Sequence, residues 1–188
     1  MLDERRNRLK QALADPDESV RRAAAESLEQ LASFQELDRL LRAVESGNRG
    51  LRMQALFALE RVNSPEVFPA LLQMLNQSDP DLRAAAVQVL GKKRNPKTLP
   101  QLIRHLNDPQ SAVRVYAAEA LGHFPDRRLI PYLAALLKEA DGELVRTAVW
   151  ALGAIGAVEA EEHLLPLLAD ARPSVRREAA LALGRLGI

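Results

Sequence analysis

The histidines of this chain, His105, His123 and His163, are the residues best suited to hold a metal or move a proton. They stand 18 and 40 residues apart. That spacing matches no ligand motif, since a helical H-E-x-x-H pair needs its two imidazoles one turn apart. Glu161-Glu162-His163 has the acid-rich character of a helix's first turn, where carboxylates offset free backbone amides. No G-x-S-x-G elbow and no Gly-rich phosphate loop occurs. Cysteine is absent, so zinc-thiolate sites, disulfides and thiol nucleophiles are excluded. A base-excising site would need an acid clustered with aromatics, and Trp150 with Glu119 or Glu143 is the nearest approach. These residues predict no enzyme, no cofactor and no metal.

The elements that position such residues follow from composition and pattern. The 188 residues carry 26 basic and 25 acidic side chains, a net charge of +1, which does not favour nucleic acid or an anionic membrane. Hydrophobic residues make up 47% but aromatics only 4%, so the core must be Leu, Ala and Val packed closely. The charged start, Met1 to Arg8, lacks the apolar run of a secretory signal, and no stretch approaches 18 apolar residues. A soluble, cytoplasmic chain without membrane insertion is expected.

One period organises everything else. Leu28, Leu59, Leu90, Leu121, Leu152 and Leu183 are spaced by 31 residues, and an alanine stands four before each of them. Such a period means a solenoid of stacked units. Six repeats are expected at about 1–32, 33–63, 64–94, 95–125, 126–156 and 157–188, forming a single domain. In the third, Ser64 and Pro65 start a first helix with Val67, Phe68, Leu71, Leu72 and Leu75 on one stripe. Pro69 should bend or restart it, as should Pro100 and Pro131 in the following units. Asp79 and Pro80 then start a second helix that buries Leu82, Ala86, Val89 and Leu90. Glycine follows four of the marker leucines, as Gly91, Gly122, Gly153 and Gly184, and reads as a helix-end residue.

The segments Ser174 to Gly184 and Ala112 to Gly122 resemble the second helix of HEAT-like repeats, of the short variety named after phycobilisome-lyase subunits. The resemblance spans the chain and implies an all-α, right-handed α-solenoid of six 31-residue helical hairpins. It also implies a choice among protein-binding scaffolds, bilin-lyase components and glycosylases that fold alone cannot make.

The recurrent Arg21, Arg52, Arg83, Arg114 and Arg176, with acids in the preceding turns, read as a structural ladder. The fifth unit has Val145 in that slot and Arg146 one place later. In the architecture implied by the resemblance, second helices line the concave face. Slots six before, two before and two after each marker leucine share one stripe of that helix. The stripe is polar in the first unit, yet it holds Met53, Phe57 and Arg61, then Glu119, Arg146 and Trp150, then Leu181, with Tyr116 one slot over. Exposed apolar residues bordered by arginine are a usual protein-binding surface. The expected function is therefore a non-catalytic scaffold that binds a protein or peptide on its concave face. The alternatives are a nucleic-acid-binding module and a bilin-lyase-type subunit.

Two departures from the repeat stand out. Three residues after the marker leucine the chain is apolar except at Lys93, which lies in a basic cluster with Lys92, Arg94 and Lys97. The cluster reads as a solvated lysine edge, or else as an anion contact. The last unit is close to consensus rather than polar, an edge open to self-association or to a partner.

Overall fold

The computed structural model describes residues 2–187, Leu2 by its backbone alone. Met1, the Leu2 side chain and Ile188 lie outside the described residues. Among these residues every regular element is helical: α1 (Leu2–Ala12), α2 (Glu18–Ser46), α3 (Arg49–Leu59), α4 (Val67–Met74), α5 (Pro80–Lys93), α6 (Leu99–Arg104), α7 (Ser111–Gly122), α8 (Ile130–Ala135), α9 (Gly142–Ile155), α10 (Glu161–Leu164) and α11 (Pro173–Leu183). The chain divides into two compact units, Met1–Ala55 and Leu56–Ile188.

The second unit alternates short first helices with longer second helices. The short ones are flanked by 3-10 turns at Pro96–Thr98 and His105–Asn107, at Arg127–Leu129 and Leu136–Lys138, and at Val158–Ala160 and Leu165–Ala169. Pro100 and Pro131 occupy the second positions of α6 and α8, and Pro69 the third of α4. There a missing N–H costs nothing, so the prolines restart these helices rather than break them. Two second helices, α5 and α9, begin on carboxylates: Asp79 accepts from the Asp81 N–H at 2.9 Å, and Asp141 accepts from Glu143 and Leu144 at 3.0 and 3.2 Å. Leu59, Leu90, Leu121 and Leu152 are fully buried, as are Ala86, Ala117, Ala148 and Ala179.

Helices α5, α7, α9 and α11 pack side by side, and glycine sets how closely. The sequence reading makes the glycine after each marker leucine a helix end. The structure puts Gly91 and Gly153 inside α5 and α9 and Gly122 at the last residue of α7, each against the next second helix, while Gly184 caps the end of α11. A Cβ on Gly91 would lie 2.6 Å from Ala120 Cβ, on Gly122 2.9 Å from Ala151 Cα, and on Gly153 2.6 Å from Ala182 Cα. Gly156, at φ 71°, is the left-handed residue that ends α9.

The arginine ladder is structural. In Arg21, Arg83, Arg114 and Arg176 the guanidinium donates to carbonyls six and five residues back, while Arg52 reaches the Glu45 carbonyl seven back at 2.9 Å. Arg83 reaches Gln77 and Ser78 at 2.9 and 3.0 Å, Arg114 reaches Asp108 and Pro109 at 2.9 and 3.3 Å, and Arg176 reaches Asp170 and Ala171 at 2.6 and 3.1 Å. Arg83 also crosses to the next repeat, where Nε and Nη2 donate to both oxygens of Asp108 at 2.8 Å. Burial alone would raise the Asp108 pKa. The Arg83 hydrogen bonds, the Gln110 amide and the Arg83 charge outweigh it and hold the group below the usual carboxylate range.

The first unit departs from the hairpin plan. Helix α2 runs 29 residues, straight through the repeat boundary expected at 32/33. Between Leu28 and Leu37 the chain offers no Pro, Gly or Asp, so nothing ends the helix until Gly47. Its start is capped by Asp17, which accepts from Ser19 and Val20 at 2.7 and 3.3 Å. Arg21 repeats the ladder on Asp15 and Pro16 at 2.8 and 2.9 Å.

Candidate functional site

Helices α7 and α9 of the second unit leave between them a cleft of about 700 Å³. Tyr116 and Glu119 reach it from α7, Arg146, Thr147 and Trp150 from α9, and Ser111, Asp141 and Glu143 from the helix starts. Four residues that the sequence picks out, Tyr116, Glu119, Arg146 and Trp150, thus meet at one place. Trp150 is half-buried, with its ring laid over Gly122, where a Cβ would come within 2.7 Å of Cζ3. Its other neighbour is the His123 ring, edge-on at 5.6 Å and 79°. The same glycine that lets α7 and α9 close together therefore seats the indole. Tyr116 and Glu119 also border a smaller hollow of about 190 Å³ with Gln88, Lys92 and His123, so the depression continues toward α5.

The charges of the cleft are fixed by hydrogen bonds. The Ser111 hydroxyl, then the Leu144 and Glu143 amides, hold Asp141 ionised below its ordinary pKa. Arg146 depresses the Glu143 carboxyl, and Glu143 in turn raises the pKa of Arg146. That ion pair is two-pronged, Nε to Oε2 at 3.0 Å and Nη2 to Oε1 at 2.5 Å. The Nη1 of Arg146 lies 3.9 Å from Glu178, a carboxylate buried on α11. Burial and the Arg94 charge push the His123 pKa down, so its ring is neutral at pH 7. Glu119 makes no hydrogen bond or ion pair among the described residues, and neither does the Thr147 hydroxyl, although Thr147 is 5% exposed. This assembly offers a flat apolar wall, an unpaired carboxylate and an unpaired hydroxyl. It can hold a ligand by stacking and by charge.

The remaining expected residues lie elsewhere. Phe57 on α3 is 43% exposed and Leu181 on α11 44% exposed, while Arg61 is exposed in the turn after α3. Met53 is half-buried in the first unit. In the basic cluster the two lysines that end α5 are engaged by the preceding repeat. Lys92 pairs with Glu60 at 3.0 Å, and Lys93 donates to the Glu60 and Val62 carbonyls at 3.2 and 2.7 Å, closing the end of α3. Arg94, left-handed at φ 49°, ends α5, and the Lys97 amide donates to Asn95 at 3.1 Å. Neither side of the sequence reading describes Lys93, which replaces an apolar contact with a cap on the preceding repeat.

Sequence reasoning misses Thr147, Ser111 and Asp141 as parts of the site. A signal exists for the first of them. The slot five before the marker leucine runs Ala23, Gln54, Ala85 and then Tyr116, Thr147, Glu178, turning polar or aromatic in the last three repeats. Among the described residues no group of three or more His, Cys, Asp or Glu side chains could hold a metal ion, and no helix is long and apolar enough to cross a membrane.

The family model for HEAT repeats matches residues 6–79, 68–153 and 135–187. No curated protein matches the chain in sequence. Among solved structures it is similar to a chain of the complex of CpcE and CpcF of phycocyanin lyase from Nostoc sp. PCC7120, at 28% identity and a TM-score of 0.72. That likeness covers 80% of this chain and 65% of that one. An engineered protein matches at 20% identity and a TM-score of 0.61, over 96% and 95% of the two chains. A designed armadillo repeat protein in complex with the peptide (KR)4 matches at 20% identity and a TM-score of 0.58, over 96% and 98%. At that identity the last two show a shared helical-repeat fold.

Proposed function

Because this chain belongs to the HEAT repeat family, we propose that it is a non-catalytic scaffold that binds a peptide or protein element against its second helices. The observation that carries this reading is the α7–α9 cleft, where the chain's one tryptophan is left half-exposed beside unpaired polar groups. An indole that served only the core would be enclosed. Exposed Phe57 and Leu181 on α3 and α11 extend the apolar character of the same helix set. The solved complex of a designed repeat protein with (KR)4 gives a precedent for peptide binding on such a fold. A cytoplasmic setting goes with this role and with the absence of cysteine.

Affinity capture with the wild type beside a Phe57→Ala/Trp150→Ala variant of unchanged melting temperature tests the reading. Partners held by the wild type and lost by the variant are expected. Equal retention of the same partners by both overturns it.

The likeness to a phycocyanin lyase complex favours a second reading, in which the partner is another HEAT-type subunit and the pair acts on a bilin. In that reading the second subunit would sit against the face of α11 at Gly184. In the slot where Gly91, Gly122 and Gly153 each meet an alanine, a Cβ on Gly184 would meet only carbonyl oxygens of its own helix, at 3.6 and 3.8 Å. Self-association through that edge is the homomeric form of the same idea. Bilin absorbance carried by the purified chain, alone or with such a subunit, would favour the second reading over the first. A nucleic-acid role has less support, since Lys92 and Lys93 are engaged within the protein.

A further inference from the structure

We propose that the α7–α9 cleft is a receptor for an arginine side chain of an extended segment of the partner. This rests on the peptide-binding reading above and says what the peptide must carry. Charge decides it first. The lining holds three carboxylates, Glu119, Asp141 and Glu143, against one guanidinium, Arg146. That guanidinium is already committed, bonded twice to Glu143 and facing buried Glu178. Arg114, the next nearest cation on α7, gives its Nη1 to two carbonyls of its own turn. An entering carboxylate or phosphate would meet Glu119 and Asp141 with no free cation to receive it. A cation meets the opposite situation, because Glu119 makes no hydrogen bond or ion pair among the described residues and feels Arg146 only through its charge.

The second observation is independent of charge. Thr147 is 5% exposed as a residue and its hydroxyl makes no hydrogen bond within the protein, so the part of it left open faces the cleft and is free to take a donor. A guanidinium brings five N–H donors in a plane, enough for both oxygens of Glu119 and for this hydroxyl. Its flat face also suits the aromatic wall of Trp150 and Tyr116, where an ammonium makes a weaker match. The depression passes over Tyr116 and Glu119 into the smaller hollow toward α5, so the occupant is a side chain on a through-running strand of peptide rather than a free small cation.

The chain's one tryptophan reports on the cleft directly. The probes are four capped octapeptides in which glycine alternates with arginine, citrulline, lysine or glutamate, titrated while Trp150 emission is followed. The arginine peptide should shift the emission saturably. Citrulline, which keeps the shape and loses the charge, should bind about tenfold more weakly, with lysine between them. In exposed Glu119→Gln the arginine peptide should drop to the citrulline level, while the affinity for citrulline stays unchanged. Citrulline equal to arginine, glutamate equal to or above it, or no effect of Glu119→Gln overturns the arginine assignment and leaves peptide binding standing. If no peptide shifts the emission or binds by calorimetry, the arginine assignment and the peptide-binding reading both fall.

Discussion

In residues 56–188 the apolar residue eight before each marker leucine is shut away: Leu82, Val113, Leu144 and Val175 are at most 3% exposed. In residues 1–55 the same slot holds Val20 and Leu51, which are 40% and 50% exposed. The period is identical in both regions, so the period alone does not make a tight stack. Two other features separate them. After the marker leucines Leu90, Leu121 and Leu152 stand Gly91, Gly122 and Gly153, each against an alanine of the next helix, where Leu28 and Leu59 are followed by Glu29 and Glu60. The second region also renews its breaks with Pro, Gly and Asn, whereas α2 meets none for 29 residues. Leucine spacing sets where a helix turns its apolar side. Glycine and proline decide how closely the next one can come.

The comparison can be broken at several points. The largest effect is expected from Arg83→Met, which leaves Asp108 ionised and buried. It should cost about 3 kcal/mol in chemical denaturation, whereas Arg42→Met on α2, paired to Asp38 in solvent, should stay within about 0.5 kcal/mol. Next is Gly153→Ala, whose new Cβ has only Ala182 backbone and Cβ to displace, at a cost of about 2 kcal/mol. Gly184→Ala, with no such neighbour, should instead gain a few tenths from helix propensity. A reversed order would remove glycine as the cause of close stacking. Lys93→Met, which uncaps the end of α3, should cost about 1 kcal/mol, measured by the same unfolding curves.

The smallest effect is one of pH. Because the Asp108 pKa is depressed in the folded state, its contribution is complete above the ordinary carboxylate value of 3.8 and disappears as pH falls through the lower folded value. In Arg83→Met the Asp108 pKa rises, because only the Gln110 amide and the His105 charge still oppose burial. The stability gap between wild type and variant, followed by circular dichroism, should therefore narrow as pH falls through the carboxylate range. A gap that stays constant on the acid side would mean that another group controls it.

Much of this was legible in the residues, and the failures have physical reasons. The ladder could be read because arginine recurs in one slot six residues after a turn, whose carbonyls lie within its reach. The cleft residues on α7 and α9 could be found because they vary where core slots repeat. The role of Gly91, Gly122 and Gly153 was hidden, because a glycine near a helix end and one under a crossing helix look alike until the neighbour is seen. Continuous α2 was in fact written in the chain, as Leu31-Ala32-Ser33-Phe34 lacks any breaker, but the unbroken period hides the missing signal. Lys93 could not be read from its own repeat, since its acceptors belong to the one before.

The glycine–alanine junctions make the stack a set of interchangeable cassettes. Excising residues 95–125 would bring Gly91 against Ala151, as Gly122 is now, and would set Glu139 where Asp108 receives Arg83. The shortened array would find at its new seam the same chemistry it lost. The cleft would not, because Tyr116 and Glu119 leave with the cassette and Trp150 would face a repeat that has Ala85 and Gln88 in their places. Whole-repeat gain and loss can therefore change what such a chain recognises without asking its core to repack.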